Sequence, residues 1–137
     1  PWRERLVGVK TPQSEHPFVV EKQAEQELFG VVVKHKPKNV SGWEALIQCL
    51  LTAEYFDEAL LQSKNAFVAT DHKPVFLFYH SAILFIIGKS KDGLILLEQA
   101  MVAAPKLLKK FIDIRPSILQ NAQVVDVIAR FKRRRKI

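Results

Sequence analysis

Apolar positions recur in this chain on two scales. Within short segments they fall three and four residues apart, the spacing that lines one face of a helix. Between segments, the whole pattern of block 40–73 returns in block 74–107. Trp43, Leu46, Leu50, Phe56, Ala59 and Ala66 in the first block stand in register with Leu77, His80, Leu84, Ser90, Gly93 and Ala100 in the second, and Asp71 stands in register with Pro105. Each block contains two striped segments joined by a short polar turn. Small residues, Ala59 with Ala66 and Gly93 with Ala100, occupy the points where paired helices would approach. One block cannot close a core alone, whereas stacked blocks can. The pattern therefore predicts an all-α fold built of helical pairs.

Helical spacing starts near Phe18 and continues to Lys34 through Val20, Ala24 and Leu28. It stops in Lys34-His35-Lys36-Pro37, where basic residues suit a helix C-terminus and the proline ends it. Phe29, Val32 and Pro37 stand one full block before Ser63, Ala66 and Asp71, so 18–39 is expected to be the second helix of a partial repeat. Residues 1–17 hold three prolines and no sustained period, as an irregular arm or linker does, although Trp2, Leu6, Val7 and Val9 suit packing back onto the body.

Ser41-Gly42-Trp43-Glu44 predicts a capping box, with a helix running to about Ala53. Glu54-Tyr55 makes the turn, and Phe56 to about Ala69 forms the return helix. Pro74 fits the first turn of the next helix because its missing amide hydrogen would be unpaired there anyway. The stretch from Pro74 to Ile87 is apolar nearly all round, yet falls short of the roughly 20 residues that span a membrane, so a covered central helix is expected. After the Gly88–Gly93 turn region, a helix runs from Ser90 to about Ala104. Pro105 opens a short helix ending before Pro116, with Leu108, Phe111 and Ile112 as its contacts. Asn121 or Ala122 to about Arg133 is amphipathic through Val124, Val127, Ile128 and Phe131. Residues 108–134 are expected to be capping helices that shield the last repeat, and 135–137 the end of a basic tail.

At these residues the chain resembles the tetratricopeptide repeat family. Trp43, Leu46, Phe56, Ala59 and Ala66 match the family pattern in the first block, Leu77, Gly88, Ala100 and Pro105 in the second, and Phe29 and Pro37, followed by Asn39, in the partial repeat. Ile47 and Ser81 depart from it where glycine or alanine is usual, Leu50 and Leu84 replace a common tyrosine, and Gly93 replaces alanine. The resemblance implies an α-α superhelix of stacked antiparallel helical hairpins, with a C-terminal capping helix here, whose first helices line a concave surface that binds peptides or organises complexes. By position, that surface would hold Ser41, Glu44, Ala45, Gln48 and Thr52 from the first block. From the second it would hold Val75, Phe78, Tyr79, Ala82, Phe85 and Ile86. The family's clamp for a peptide carboxylate needs basic and Asn residues at such positions; these are mostly absent, so an acidic C-terminal peptide is not the expected partner.

Phe78, Tyr79, Phe85 and Ile86 together are too apolar to leave in water. Three covers are open: the chain's own cap helix or N-terminal arm, which comes first, a partner helix or extended segment, or a second copy of the chain.

Charge adds a second candidate surface. Of a net +7, six positives sit at Arg130, Lys132, Arg133, Arg134, Arg135 and Lys136, leaving +1 for the rest. The body is nearly neutral, and the tail is either a solvated end or a contact for phosphate or an acidic partner. An apolar fraction of 48% with 26% charged residues describes a folded domain. Cys49 is the sole cysteine, which excludes an internal disulfide. The opening Pro1-Trp2-Arg3, without Met, is expected of a piece of a longer protein; the compartment stays open, with the cytoplasm favoured.

Chemistry finds little support. His16, His35, His72 and His80 include no pair at metal spacing on one helix. His80 reads as a core histidine with a hydrogen bond, and Cys49 as a buried small hydrophobe. Glu54, Asp57 and Glu58 suit a turn and a helix start. Gly88-Lys89-Ser90 matches a phosphate loop for three residues only, after a helix rather than a strand. No cofactor is expected, and no enzyme.

The expected function is a protein–protein interaction scaffold or assembly module. Its partner-binding residues would be Glu44, Gln48, Val75, Phe78, Tyr79, Ala82, Phe85 and Ile86, and the partner a protein, a peptide or a second copy. The alternative is a nucleic-acid accessory module using the basic tail with Lys106, Lys109 and Lys110. Base-reading helical repeats need matched polar pairs on each first helix, and the apolar inner face lacks them.

Overall fold

A computed structural model describes residues 30–135, with the side chain of residue 135 excepted. The expected arm at 1–17 and most of the helix expected from Phe18 lie outside these residues. Every regular element described is helical. A helix ends at residues 30–35, followed by α1 (Val40–Thr52), α2 (Phe56–Ala69), α3 (Val75–Ile86) and α4 (Ser90–Ala103). A 3-10 turn (Pro105–Leu107), α5 (Leu108–Ile114), a second 3-10 turn (Pro116–Gln120) and α6 (Ala122–Arg135) complete the chain. The described residues divide into two compact units, one on either side of the boundary between Asp71 and His72.

In the first unit α1 packs against α2. Leu46, Ile47 and Leu50 on α1 and Ala59, Ser63 and Ala66 on α2 have no exposure. The start of α1 corrects the expected capping box. Asn39, in an extended conformation, is the N-cap, and its Oδ1 accepts the Gly42 N–H at 3.2 Å; Ser41 is exposed. Asn and Ser cap about equally well, so position decides. The Asn39 N–H donates to the Lys36 carbonyl at 3.0 Å, closing the turn that presents Asn39 two residues ahead of Ser41. The indole N–H of Trp43 donates to the Pro37 carbonyl at 2.7 Å, tying the incoming chain to α1. Gly42 permits this crossing: a Cβ there would lie 3.1 Å from Val32 Cγ1.

In the second unit α3 packs against α4 and α5, and α4 against α6. Phe78, Ala82, Leu97, Ala100, Met101, Phe111, Ile118, Val124, Val127 and Ile128 form one buried cluster. Ser81 joins the first two of these helices, its Oγ donating to the Gly93 carbonyl at 2.7 Å in a buried bond.

Local geometry repeats at the sequence period. Shifted forward by one block, the limits of α2 become those of α4. The turn after α1 has Glu54 N–H donating to Leu51 O and Tyr55 N–H to Leu50 O; the turn after α3 has Gly88 to Phe85 and Lys89 to Leu84, the same bonds one block on. Each is a Schellman motif with one left-handed residue, Glu54 at φ 63° and Gly88 at φ 87°. The periods part at Asp71 and Pro105. Asp71 is left-handed at φ 58°, which proline's ring forbids, so Pro105 opens a 3-10 turn instead.

The same shift reaches further than the sequence pattern alone indicated. Buried Leu50 and Leu84 map onto buried Ile118, and Ala59 and Gly93 map onto buried Val127. Pro116 accounts for the loss of visible periodicity between them. It holds Arg115 extended and ends α5 after 7 residues, and Ile118 is then carried into the core by a 3-10 turn. Asn121 caps α6, its Oδ1 accepting from Gln123 and Val124 at 2.9 and 3.4 Å.

Candidate interaction surface

The residues expected on the inner face divide sharply by unit. On α1, Ser41, Gln48 and Thr52 are exposed, and Glu44 and Ala45 are half-buried. On α3, Val75, Phe78, Tyr79 and Ala82 are buried, while Phe85 and Ile86 are half-buried. Phe78 and Ala82 belong to the second unit's core cluster, which withdraws them from any partner.

The physical reason is α5. Phe111 meets Phe78 with ring centroids 6.1 Å apart and meets Phe85 edge-on at 6.3 Å, and it has no exposure itself. Aromatic pairs at this separation and tilt gain from ring quadrupoles as well as from burial. The cover expected from the cap helix or the N-terminal arm is thus supplied at Phe78 and Phe85 by the short helix between the two prolines. The last helix contributes Val124, Val127 and Ile128 to the same cluster.

The basic end of α6 is less available than its composition suggests. Arg130 is held by Glu98 at 3.5 Å and by Asp126 at 3.3 Å. Arg134 lies over the Phe131 ring at 5.6 Å. Lys132, Arg133 and Arg134 are exposed, whereas Lys136 and the side chain of Arg135 lie outside the described residues. Positive charge at a helix C-terminus is favourable in itself, because it opposes the partial negative charge of the terminal carbonyls.

Two open clefts mark the second unit. One, of about 380 Å³, runs between α4 and α6 over Leu94 and Val127 and is walled by Glu98, Asp126 and Arg130. The other, of about 290 Å³, lies where the end of α3, the start of α4 and the Pro116 turn meet; Phe85, Ile86, Ser90, Arg115, Ser117, Ile118 and Asn121 line it. The repeat frame did not single out Arg115, Ser117 or Asn121. Arg115-Pro116 as a helix terminator and Asn121 as a cap were the signals that would have placed them at one end of the unit.

Residues considered for chemistry have structural surroundings. Cys49 is a buried thiol in no disulfide, His80 is half-buried within α3, exposed His35 lies at a helix end, and exposed His72 lies in the turn before α3. Asp57 and Glu58 lie in the first turn of α2. Among the described residues no group of three His, Cys, Asp or Glu side chains is placed to hold a metal ion, and no helix is long and apolar enough to cross a membrane. Neither a protein-family model, nor a curated protein, nor a solved structure matches this chain.

Proposed function

We propose that the chain is a non-enzymatic protein-interaction scaffold or assembly module, a short superhelical array of the tetratricopeptide repeat type. The observation that carries the reading is the repetition of turn geometry. Two helix-to-helix turns one block apart share both hydrogen bonds and the left-handed residue, and the helices that follow them share limits. Geometry that returns at a fixed period is how a chain builds an extended surface from units that each contact their neighbours. Residues 108–135 act as a third, degenerate unit that closes the apolar face of the second. The partner-facing positions proposed in the first unit are Gln48 and Glu44 on α1, and in the second unit the half-buried Ile86 at the end of α3.

A photocrosslinking amino acid in place of Gln48 tests this against the same residue in place of exposed Lys109 on α5. A discrete protein adduct from position 48 alone is expected. No adduct there, or the same adducts from both positions, overturns partner binding through α1.

Exposed Lys132, Arg133 and Arg134 favour the second reading, contact with nucleic-acid phosphate. Neutralisation of Arg130 by two carboxylates weakens it. Duplex binding would lose affinity with salt at a log–log slope of about 0.9 per phosphate contacted. The expected result is no retention on duplex DNA or RNA at physiological salt; retention that disappears when all three residues become alanine establishes the nucleic-acid reading instead.

A further inference from the structure

We infer that the cleft at the Pro116 turn is a docking site for an acidic side chain of a partner polypeptide; this deepens the scaffold reading and rests on it. The two clefts described above differ in charge. The one between α4 and α6 is walled by two carboxylates against one guanidinium. The one at the Pro116 turn has no acidic lining residue. Its polar groups are the Arg115 guanidinium, the Ser90 and Ser117 hydroxyls and the Asn121 side chain.

All four of these groups donate hydrogen bonds. Asn121 spends its Oδ1 on the α6 amides, which leaves its NH₂ hydrogens as donors. Arg115 is exposed, and no acidic partner is paired with it among the described residues. Donors of this kind suit a carboxylate, which only accepts, and a guanidinium meets it through two parallel bonds.

Beneath the donors the apolar floor is small and already ordered, the exposed lining of the cleft being mostly polar. Phe85 is fixed on one side by Gly93, where an added Cβ would come within 3.0 Å of its ring, and on another by the edge contact with Phe111. Ile118 supplies the remainder from the core. An ordered floor costs an incoming side chain little reorganisation. A volume of about 290 Å³ is suited to one or two side chains rather than to a large cofactor.

The test is amide NMR of the full chain titrated with four probes: acetyl-Leu-Glu-amide, acetyl-Leu-Gln-amide, acetyl-Ala-Glu-amide and inorganic phosphate. The Leu-Glu and Ala-Glu probes are expected to move the Ser90, Arg115 and Ser117 amides saturably, both about tenfold more tightly than the Gln form, since charge-assisted pairing carries a difference of that order. Arg115→Gln is expected to remove the advantage of Glu over Gln while leaving the rest of the spectrum in place. Equal binding of the Glu and Gln forms, equal binding by Arg115→Gln, or phosphate matching the Leu-Glu probe would each overturn the assignment. Failure here leaves the crosslinking result at position 48 untouched, so the two readings fall separately.

Discussion

Gly93 on α4 lies directly against the ring of Phe85 on α3: a Cβ at position 93 would sit 3.0 Å from Cδ2 and Cε2 and 3.2 Å from Cζ. One block earlier, the same two positions hold Ala59 and Leu51. Where the first block has the smaller apolar residue and a methyl group, the second has an aromatic ring and no methyl group. Two opposing effects meet in Gly93→Ala. Helix propensity favours alanine by about 1 kcal/mol, while overpacking costs about 1–3 kcal/mol. The edge contact with Phe111 limits the ring's retreat to the side of the open cleft, where it would lose that contact, so the clash wins. Gly93→Ala is expected to destabilise by about 1 kcal/mol in urea unfolding. Adding Phe85→Leu recovers part of that loss, and a double-mutant cycle without coupling would refute the packing account.

Glu54 occupies a left-handed position that Gly88 fills in the next block. A side chain there costs about 1–2 kcal/mol relative to the right-handed region. Glycine returns part of this because it frees the unfolded chain. Glu54→Gly is therefore expected to raise stability by about 0.5–1 kcal/mol and Gly88→Ala to lower it by about 1 kcal/mol. Thermal melting of the two variants, measured side by side, should give shifts of opposite sign.

The cap of α1 can be read from a pair of alanine substitutions. Asn39→Ala removes the acceptor for Gly42 N–H and is expected to cost about 1 kcal/mol. Ser41→Ala, at an exposed position, should stay within about 0.5 kcal/mol of the parent. A larger loss at Ser41 than at Asn39 would restore the capping box.

Phe111 and Phe78 decide whether the apolar face of α3 is interior or interface. Both have no exposure. Phe111→Ala is expected to cost about 3–5 kcal/mol, from lost burial and the cavity left behind. Phe78→Glu places a charge in the same core and should abolish the near-ultraviolet signal of folded aromatics. A well-folded Phe78→Glu protein with an altered solution mass would instead make this face a contact between chains.

Much of the architecture was legible in the chain because it depends on local periodicity. The return helix Phe56–Ala69 agrees with its expected limits, and the helix from Ser90 with its expected start, because Glu54-Tyr55 and Gly88-Lys89 punctuate the stripes on either side. The cap was misplaced by two residues because Asn39 and Ser41 have nearly the same intrinsic preference. Only the turn geometry around Lys36 and Pro37 distinguishes them.

The apolar face shows where such reading stops. Phe78, Tyr79, Phe85 and Ile86 announced a surface that needed covering, and by itself the sequence determined the helices, their repeating frame and that need. Tertiary structure alone decided the cover. Phe111 reaches Phe78 and Phe85 from a helix ended by Pro116, and the same break brings Arg115 and Ser117 beside Phe85 and Ser90. A stripe of side chains follows from residues three and four apart on one helix, whereas the partner of a buried ring is chosen by packing between segments distant in the chain.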